Sequence, residues 1–172
     1  ITGSKGVGKS ALLAQVSTKS AEWFPSSIII YRSIGISIES FTNEQVFRSI
    51  CEQCCLLYGE HISSASYVIL NGKDVLQRIL SKVTQERSLI IIIDGLDHAA
   101  NFSLLNLNDC FSQELAPFVK VVLSTNSGPV LENLKTIWNS DCFLNLDEIN
   151  CSESFEILEN VLKQSQRTIS LN

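Results

Sequence analysis

Methionine is absent from the 172 residues, and charged residues make up only 18% of them. Because the chain begins at Ile1 and has no methionine, we expect it to be a segment of a longer protein. The low charge and the 45% hydrophobic content argue against disorder, since disordered chains are rich in charge and poor in apolar residues. The length suits one globular domain with a substantial core.

Basic clusters and long apolar runs are also missing. Lysine and arginine number 13 against 18 acidic residues, a net charge of −5, which disfavours nucleic-acid binding through a charged face. Apolar runs such as residues 89–93 are too short to cross a bilayer, and no signal peptide is visible. We therefore expect a cytoplasmic domain that binds neither nucleic acid nor a membrane.

Cysteine occurs six times, and Cys51 and Cys54 form a C-x-x-C pair with Cys55 adjacent. Zinc or redox chemistry is one interpretation of such a pair. Apolar residues between positions 46 and 58 recur at helical spacing, however, which places both cysteines on the core face of a helix. A zinc site needs a second pair at matching spacing, which the sequence lacks. Buried free thiols, as in a cytosolic protein, are the favoured prediction.

The N-terminal residues fit the phosphate-binding pattern G-x-x-x-x-G-K-[ST]. Glycines let backbone N–H groups close around phosphate oxygens, Lys9 offers a positive charge to the outer phosphates, and Ser10 offers a hydroxyl to Mg²⁺. Helical spacing over residues 10–17 makes a chance match the weaker interpretation, and this helix would point its positive end at the phosphates. The predicted nucleotide contacts here are Gly3, Ser4, Lys5, Gly6, Val7, Gly8, Lys9, Ser10 and Ala11.

A second pattern is the apolar run at residues 89–93 followed by Asp94-Gly95-Leu96-Asp97. A carboxylate at the tip of a buried strand can hold Mg²⁺ opposite the loop hydroxyl, so Asp94 and Ser10 are the predicted metal ligands. Hydrolysis also needs a group that orients or activates water, and Gly95 cannot serve. Asp97 is the candidate, with closure of the turn as its alternative role. Lys9 and Asp97 are thus the predicted catalytic residues.

Three weaker candidates accompany these patterns. Thr125, at the end of a predicted strand, is expected to place its hydroxyl near the terminal phosphate, although polar residues are ordinary at strand ends. His98 is expected at the surface. Arg32 could reach a phosphate, but packing or pairing at the sheet edge is the favoured interpretation.

The apolar pattern predicts alternating strands and helices. Strands are expected at residues 27–33, 89–94, 118–124 and 142–146, and helices at 10–17, 42–58, 73–85, 110–115, 129–138 and 150–164, with a connector at 59–72. The apolar residues of the strand at 27–33 are continuous, so both of its faces are expected to be buried. Such alternation predicts an α/β fold of three layers around a mostly parallel sheet, here with a truncated first strand. Ligands in these folds bind at the carboxyl ends of strands, where Gly3, Asp94 and Thr125 should meet.

Four stretches together resemble the NACHT group of STAND NTPases: the loop and helix start at residues 3–15, the strands and their ends at 90–97 and 119–126, and the segment at 142–149. These NTPases are similar in core fold to AAA+ ATPases. The resemblance implies a slowly hydrolysing switch that binds ATP or ADP with Mg²⁺ and controls assembly of a larger signalling or scaffold protein, of the kind that bears WD or tetratricopeptide repeats. It implies a nucleotide-binding core at residues 1–149 and the start of a helical segment at 150–172. Implied partners are the nucleotide, other domains of the chain and further copies of the protein.

The resemblance also assigns roles by position. Lys9 matches the Walker A lysine, Ser10 its metal ligand, Asp94 the Walker B aspartate and Asp97 the first of two acids that usually follow, while Thr125 lies in the sensor strand. The second acid is replaced by His98, and the arginine often found near position 126 is absent. A nucleotide-binding scaffold that does not hydrolyse ATP therefore stays open as the alternative.

Two other classes that use the same loop are disfavoured. A GTPase would need N-K-x-D and D-x-x-G elements, and neither occurs. A small-molecule kinase would need several lid arginines, and no arginine cluster lies between Arg87 and Arg167.

Overall fold

The fold is described by a computed structural model for residues 1–36, 43–59, 72–99 and 115–164. The strands are β1 (Thr2–Gly3), β2 (Ile28–Ser33), β3 (Leu89–Asp94), β4 (Val119–Leu123) and β5 (Thr125–Asn126). The helices are α1 (Lys9–Trp23), α2 (Asn43–Tyr58), α3 (Gly72–Leu80), α4 (Pro129–Ile137) and α5 (Cys151–Gln164), with short 3₁₀ turns at Leu96–His98 and Ser140–Cys142. Most of the predicted helix at 110–115 and most of the connector at 59–72 lie outside the described residues.

All described strand pairs are parallel. β3 lies between β2 and β4, with Ile28 opposite Leu89 and Leu89 opposite Val119. The chain of β4 continues through Ser124 into β5, which pairs with β1 so that Thr2 lies opposite Thr125. β1 therefore lies beside the β4–β5 segment, and β3 lies on the far side of that segment. The predicted α/β class with a mostly parallel sheet is confirmed.

β3 is the core of the sheet, and all six of its residues are buried. Because side chains alternate across a strand, Leu89, Ile91 and Ile93 join a cluster that includes residues of α2 and α3. Ile90 and Ile92 join a second cluster, which includes Leu13 of α1. Helices therefore cover both faces of this strand, which explains its uninterrupted apolar run.

β2 departs from its predicted burial. It begins with three isoleucines, like the apolar run of β3, but Ile30 is its one buried residue and the other five are half-buried. Within the described sheet β2 is the end strand, paired on one side with β3. Both faces of β2 pack against core clusters, Ile28 and Ile30 against one and Ile29 and Tyr31 against the other. β2 is nevertheless buried less completely than predicted, because an end strand has a neighbouring strand on one side only.

Three predicted boundaries also change. α1 continues to Trp23, and α3 ends at Leu80 because turns follow it. The predicted strand at 142–146 is reduced to one bridge between Thr2 and Asn145. The reason is that β1 has only two residues, and its backbone bonds on this side are Thr2 N–H to Leu144 O and Leu146 N–H to Thr2 O.

α5 begins with a capping box. The Asn150 side-chain oxygen accepts from the Glu153 backbone N–H at 2.9 Å, and the Glu153 carboxylate accepts from the Asn150 N–H at 3.0 Å. Side chains at residues 152–161 are exposed, including Phe155 and Val161. None of the described helices combines the length and apolar character needed to cross a membrane.

The cysteines of α2 are buried thiols outside any disulfide, as predicted. Cys51, Cys54 and Cys55 are at most 5% exposed, and none forms a disulfide. Burial raises the pKa of Cys54 to about 12, with a smaller contribution from Cys55 and partial opposition from Arg32. A thiol with this pKa carries little thiolate at neutral pH, and thiolate is the reactive form.

We therefore expect Cys54 to resist alkylation in the folded protein at neutral pH. The exposed Cys142 should be labelled by iodoacetamide in the same sample. Peptide mass spectrometry after timed quenching measures both residues, and a sample unfolded in guanidinium shows that Cys54 can be detected when labelled. Equal labelling rates for the two residues in the native protein would contradict the burial of Cys54.

Candidate nucleotide-binding site

The loop of residues 4–8 joins β1 to the start of α1, and its shape depends on glycine. Gly8, directly before α1, has φ +98°, a conformation that side chains disfavour. At Gly3 a Cβ atom would lie 2.8 Å from Leu146 O and 2.9 Å from Val7 Cγ1. The sequence thus dictates a tight loop that ends at the N-terminus of a 15-residue helix.

Lys9 folds back over this loop. Its side chain is 8% exposed, and Nζ donates to Gly3 O at 2.9 Å, Ser4 O at 2.8 Å and Asn126 Oδ1 at 2.6 Å. An ammonium group has three N–H donors, so each donor has an acceptor. The positive charge is therefore fixed at the mouth of the loop, between β1 and β5.

Asn126 connects Lys9 to Asp97. While its side-chain oxygen accepts from Lys9, its Nδ2 donates to Asp97 Oδ2 at 2.5 Å and its backbone N–H donates to Asp97 Oδ1 at 2.9 Å. His98 Nε2 lies 3.9 Å from Asp97 Oδ2, and the imidazole is 54% exposed, as expected for a surface residue. Both oxygens of Asp97 are thus engaged by one neighbour.

Asp94 ends β3 and is 4% exposed. Ser124 Oγ accepts from the Gly95 N–H at 2.8 Å, and its own hydroxyl donates to Asp94 Oδ1. Tyr31 OH donates to the other oxygen, Oδ2, at 3.3 Å. Burial raises the pKa of Tyr31, and the charge of Asp94 and this hydrogen bond raise it further. Two hydroxyl donors therefore orient the carboxylate.

Lys9, Ser10 and Asp94 line the same cleft, which has a volume of about 270 Å³. Its other lining residues are Lys5, Gly6, Gly8, Ala11, Gly95, Asp97, His98, Ser124 and Asn126. The Ser10 hydroxyl and the Asp94 carboxylate are hard oxygen ligands that suit Mg²⁺, which commonly takes its remaining ligands from phosphates and water. Among the described residues, no group of three or more His, Cys, Asp or Glu side chains could hold a metal without such additional ligands.

Not every predicted loop residue reaches the cleft with its side chain. Gly3 contributes its carbonyl oxygen to Lys9, and the Ser4 hydroxyl donates to Glu148 Oε1 at 3.1 Å. Val7 is buried. Arg32 donates to Ser49 Oγ at 3.0 Å and to the carbonyl of Tyr31 at 2.9 Å, in agreement with the expected role at the sheet edge.

The structure places Asn126, and not the predicted Thr125, beside Lys9. Thr125 is 2% exposed and lines a different, largely apolar cavity with Ile1 and Leu134. Ser124 and Asn126 line the cleft, because alternate residues of an extended chain face the same side. This alternation could have identified Asn126, because if Ser124 faces Asp94, then Thr125 must face away and Asn126 must face the cleft again.

A P-loop NTPase domain is defined by three features that meet here: a phosphate-binding loop, the lysine of that loop, and an acid at the tip of a central parallel strand. The chain belongs to the NACHT domain family, whose family model matches residues 1–165. The predicted family is thereby confirmed.

Similar proteins agree with this assignment. The chain is 26% identical to the mouse NACHT and WD repeat domain-containing protein 2, over 99% of this chain and 10% of that protein. It is 26% identical to the human NACHT domain- and WD repeat-containing protein 1, over 98% of this chain and 11% of that protein. The chain thus spans about a tenth of these relatives.

Among solved structures, this chain is similar to the Aeropyrum pernix ORC1 protein in complex with DNA, with a TM-score of 0.54. The match covers 95% of this chain and 42% of the ORC1 chain. At 15% identity, this likeness concerns the fold alone.

Proposed function

We propose that this chain is the nucleotide switch of a larger protein, which binds ATP with Mg²⁺, hydrolyses it slowly and changes its assembly with nucleotide state. The observation that carries the proposal is the cleft in which Lys9, Ser10 and Asp94 meet. We assign residues 1–149 to the nucleotide-binding core and 150–172 to the start of a helical segment. The exposure of residues 152–161 supports this boundary, because these side chains do not contribute to the buried core.

The proposed roles follow from the chemistry of each group. The backbone of residues 3–11 surrounds the phosphates, and Lys9 donates to the outer phosphate oxygens. Ser10 and Asp94 hold Mg²⁺, which when bound neutralises charge on those oxygens. Ser124 and Tyr31 keep the Asp94 carboxylate oriented through the hydroxyl donors described above. Asp97 orients the attacking water or accepts its proton.

The alternative, a nucleotide-binding scaffold without hydrolysis, has its own support. Both oxygens of Asp97 accept hydrogen bonds from Asn126. A carboxylate that is engaged in this way must exchange a partner before it can act on water. His98 occupies the place where relatives of the predicted family usually have a second acid, so Asp97 has no neighbouring acid to substitute for it.

We expect Asp97→Asn to slow single-turnover ATP hydrolysis by about 10²- to 10⁴-fold, the range for loss of a general base. Nucleotide affinity should change much less, because Asp97 contacts the nucleotide only through water or Asn126. Quenched-flow or radiolabel assays on the intact protein measure the rate, and calorimetry measures the affinity. Asp141→Asn is the matched control, since it removes an exposed carboxylate outside the cleft.

The same assay separates the two candidate functions. A wild-type protein that binds ATP but shows no turnover would support the scaffold. A wild-type protein that hydrolyses ATP at a rate that Asp97→Asn leaves unchanged would reject Asp97 as the base.

Partners are proposed from the relatives and from the charge. The named relatives contain WD repeats, so we propose that the whole protein joins this domain to a repeat array and acts by contacts with its own domains and with further copies in the cytoplasm. We do not propose DNA as a ligand, because the likeness to ORC1 concerns fold alone and the chain has a net charge of −5.

A further inference from the structure

Asn126 occupies a position that the proposed function leaves without a role. Its side-chain amide lies between the lysine and the carboxylate of the cleft, 2.6 Å from Lys9 Nζ and 2.5 Å from Asp97 Oδ2. The other two acceptors of Lys9 are the backbone carbonyls of Gly3 and Ser4. Asn126 is thus the one of the three acceptors that can leave by rotating a side chain.

A phosphate that reaches Lys9 must replace one of these acceptors, because an ammonium group has only three donors. The loop carbonyls are fixed by the fold of residues 3–8, and the bond to Gly3 O is buried. A phosphate oxygen carries charge and binds an ammonium group more strongly than a neutral amide oxygen does. Exchange at Asn126 therefore costs the least rearrangement and gains a stronger bond.

We propose that Asn126 is a latch that holds Lys9 when no nucleotide is bound and is displaced by the outer phosphates of the nucleotide. Asn126 is thereby a positioning residue, which acts through Lys9 and Asp97. The inference deepens the proposed nucleotide switch and rests on it.

The same displacement reaches Asp97. The oxygen and nitrogen of an amide belong to one rigid planar group, so Oδ1 cannot turn away from Lys9 while Nδ2 stays in place on Asp97 Oδ2. The backbone N–H of Asn126 continues to hold Asp97 Oδ1, because it does not depend on the side-chain rotamer. Phosphate contact with Lys9 thus frees one oxygen of the proposed catalytic carboxylate.

The first test is the effect of Asn126→Ala on binding of ADP and of a non-hydrolysable ATP analogue. We expect affinity about twofold to tenfold tighter than wild type, because the nucleotide no longer breaks an existing hydrogen bond. The measurement is repeated in an Asp97→Ala background, where a released carboxylate cannot replace the amide on Lys9. Ser127→Ala, an exposed neighbour, is the matched control.

Unchanged or weaker binding on adding Asn126→Ala to Asp97→Ala would overturn the latch and leave the proposed function intact. If the wild-type protein bound no nucleotide, the proposed function would fail first, and the latch with it.

The second test observes the amide directly. The side-chain NH₂ signal of Asn126 is assigned by NMR from its loss in Asn126→Ala. ADP should shift this signal, whereas adenosine, which has no phosphate to reach Lys9, should leave it in place. Equal shifts with ADP and adenosine, or none with saturating ADP, would contradict displacement. A residue that merely supports the fold would not distinguish these two ligands.

Discussion

Lys9→Ala is expected to abolish nucleotide binding. The lysine supplies a fixed positive charge at the mouth of the loop, held by Gly3 O and Ser4 O. Hydrogen bonds to a charged group contribute about 1.5–3 kcal/mol each, so the loss of two phosphate contacts weakens binding by at least about 100-fold. Isothermal titration calorimetry with ADP and with an ATP analogue, both with Mg²⁺, measures the effect.

Two controls separate this loss from general effects of charge and folding. Lys19→Ala removes the same charge from α1 at an exposed position, where the lysine pairs with Glu22 at 3.1 Å, and it should bind nucleotide normally. Lys9→Met keeps the aliphatic stem while removing the charge, and thermal unfolding shows whether each variant is folded. A folded Lys9→Ala or Lys9→Met protein with wild-type affinity would refute the assigned role.

The parts of the fold that were predictable are those where local chemistry and burial agree. The run of β3 is apolar because both faces of the strand are covered. It ends in an acid, Asp94, at the point where the strand reaches the cleft. The glycine spacing before Lys9 likewise requires a tight loop and then a helix. These features need no knowledge of distant partners, so the sequence pattern was sufficient.

Asn126 could not be chosen over Thr125 from residue type alone. A hydroxyl and an amide are both plausible phosphate contacts, and the choice between them depends on which face of the strand is turned toward the cleft. The backbone changes partner at this point: Ser124 N–H bonds to Ile93 O at 2.9 Å, and Thr125 N–H bonds to Ile1 O at 3.1 Å. The register of that change is set by tertiary pairing across more than a hundred residues.

The same limitation explains β2 and residues 142–146. Both segments contain apolar runs, but how completely a strand is buried and how many backbone bonds it forms depend on its neighbours. β2 is paired on one side within the described sheet, and residues 142–146 meet a strand of only two residues. Side-chain composition predicted that these segments are extended and apolar, but it carried no information about the length of their partners.

Asp94→Asn is expected to weaken Mg²⁺-dependent nucleotide binding about 10- to 100-fold, the equivalent of one bond to a charged ligand. Binding without Mg²⁺ should stay the same or tighten slightly, since the substitution removes a negative charge near the phosphates. The amide is nearly isosteric: one of the Ser124 and Tyr31 hydroxyls can keep donating to its oxygen, and the other can rotate to accept from its NH₂. Titrations with Mg²⁺ and with EDTA measure the two affinities.

An independent readout reports whether the substitution leaves the local structure intact. Burial and the Asp94 charge both raise the pKa of Tyr31, so Asp94→Asn should lower that pKa while the effect of burial remains. Phenolate absorbance, corrected with Tyr31→Phe, measures it. If this pKa falls as expected while affinity drops equally with Mg²⁺ and with EDTA, Asp94 is close to Tyr31 but does not hold the metal, and the proposed Mg²⁺ site is wrong.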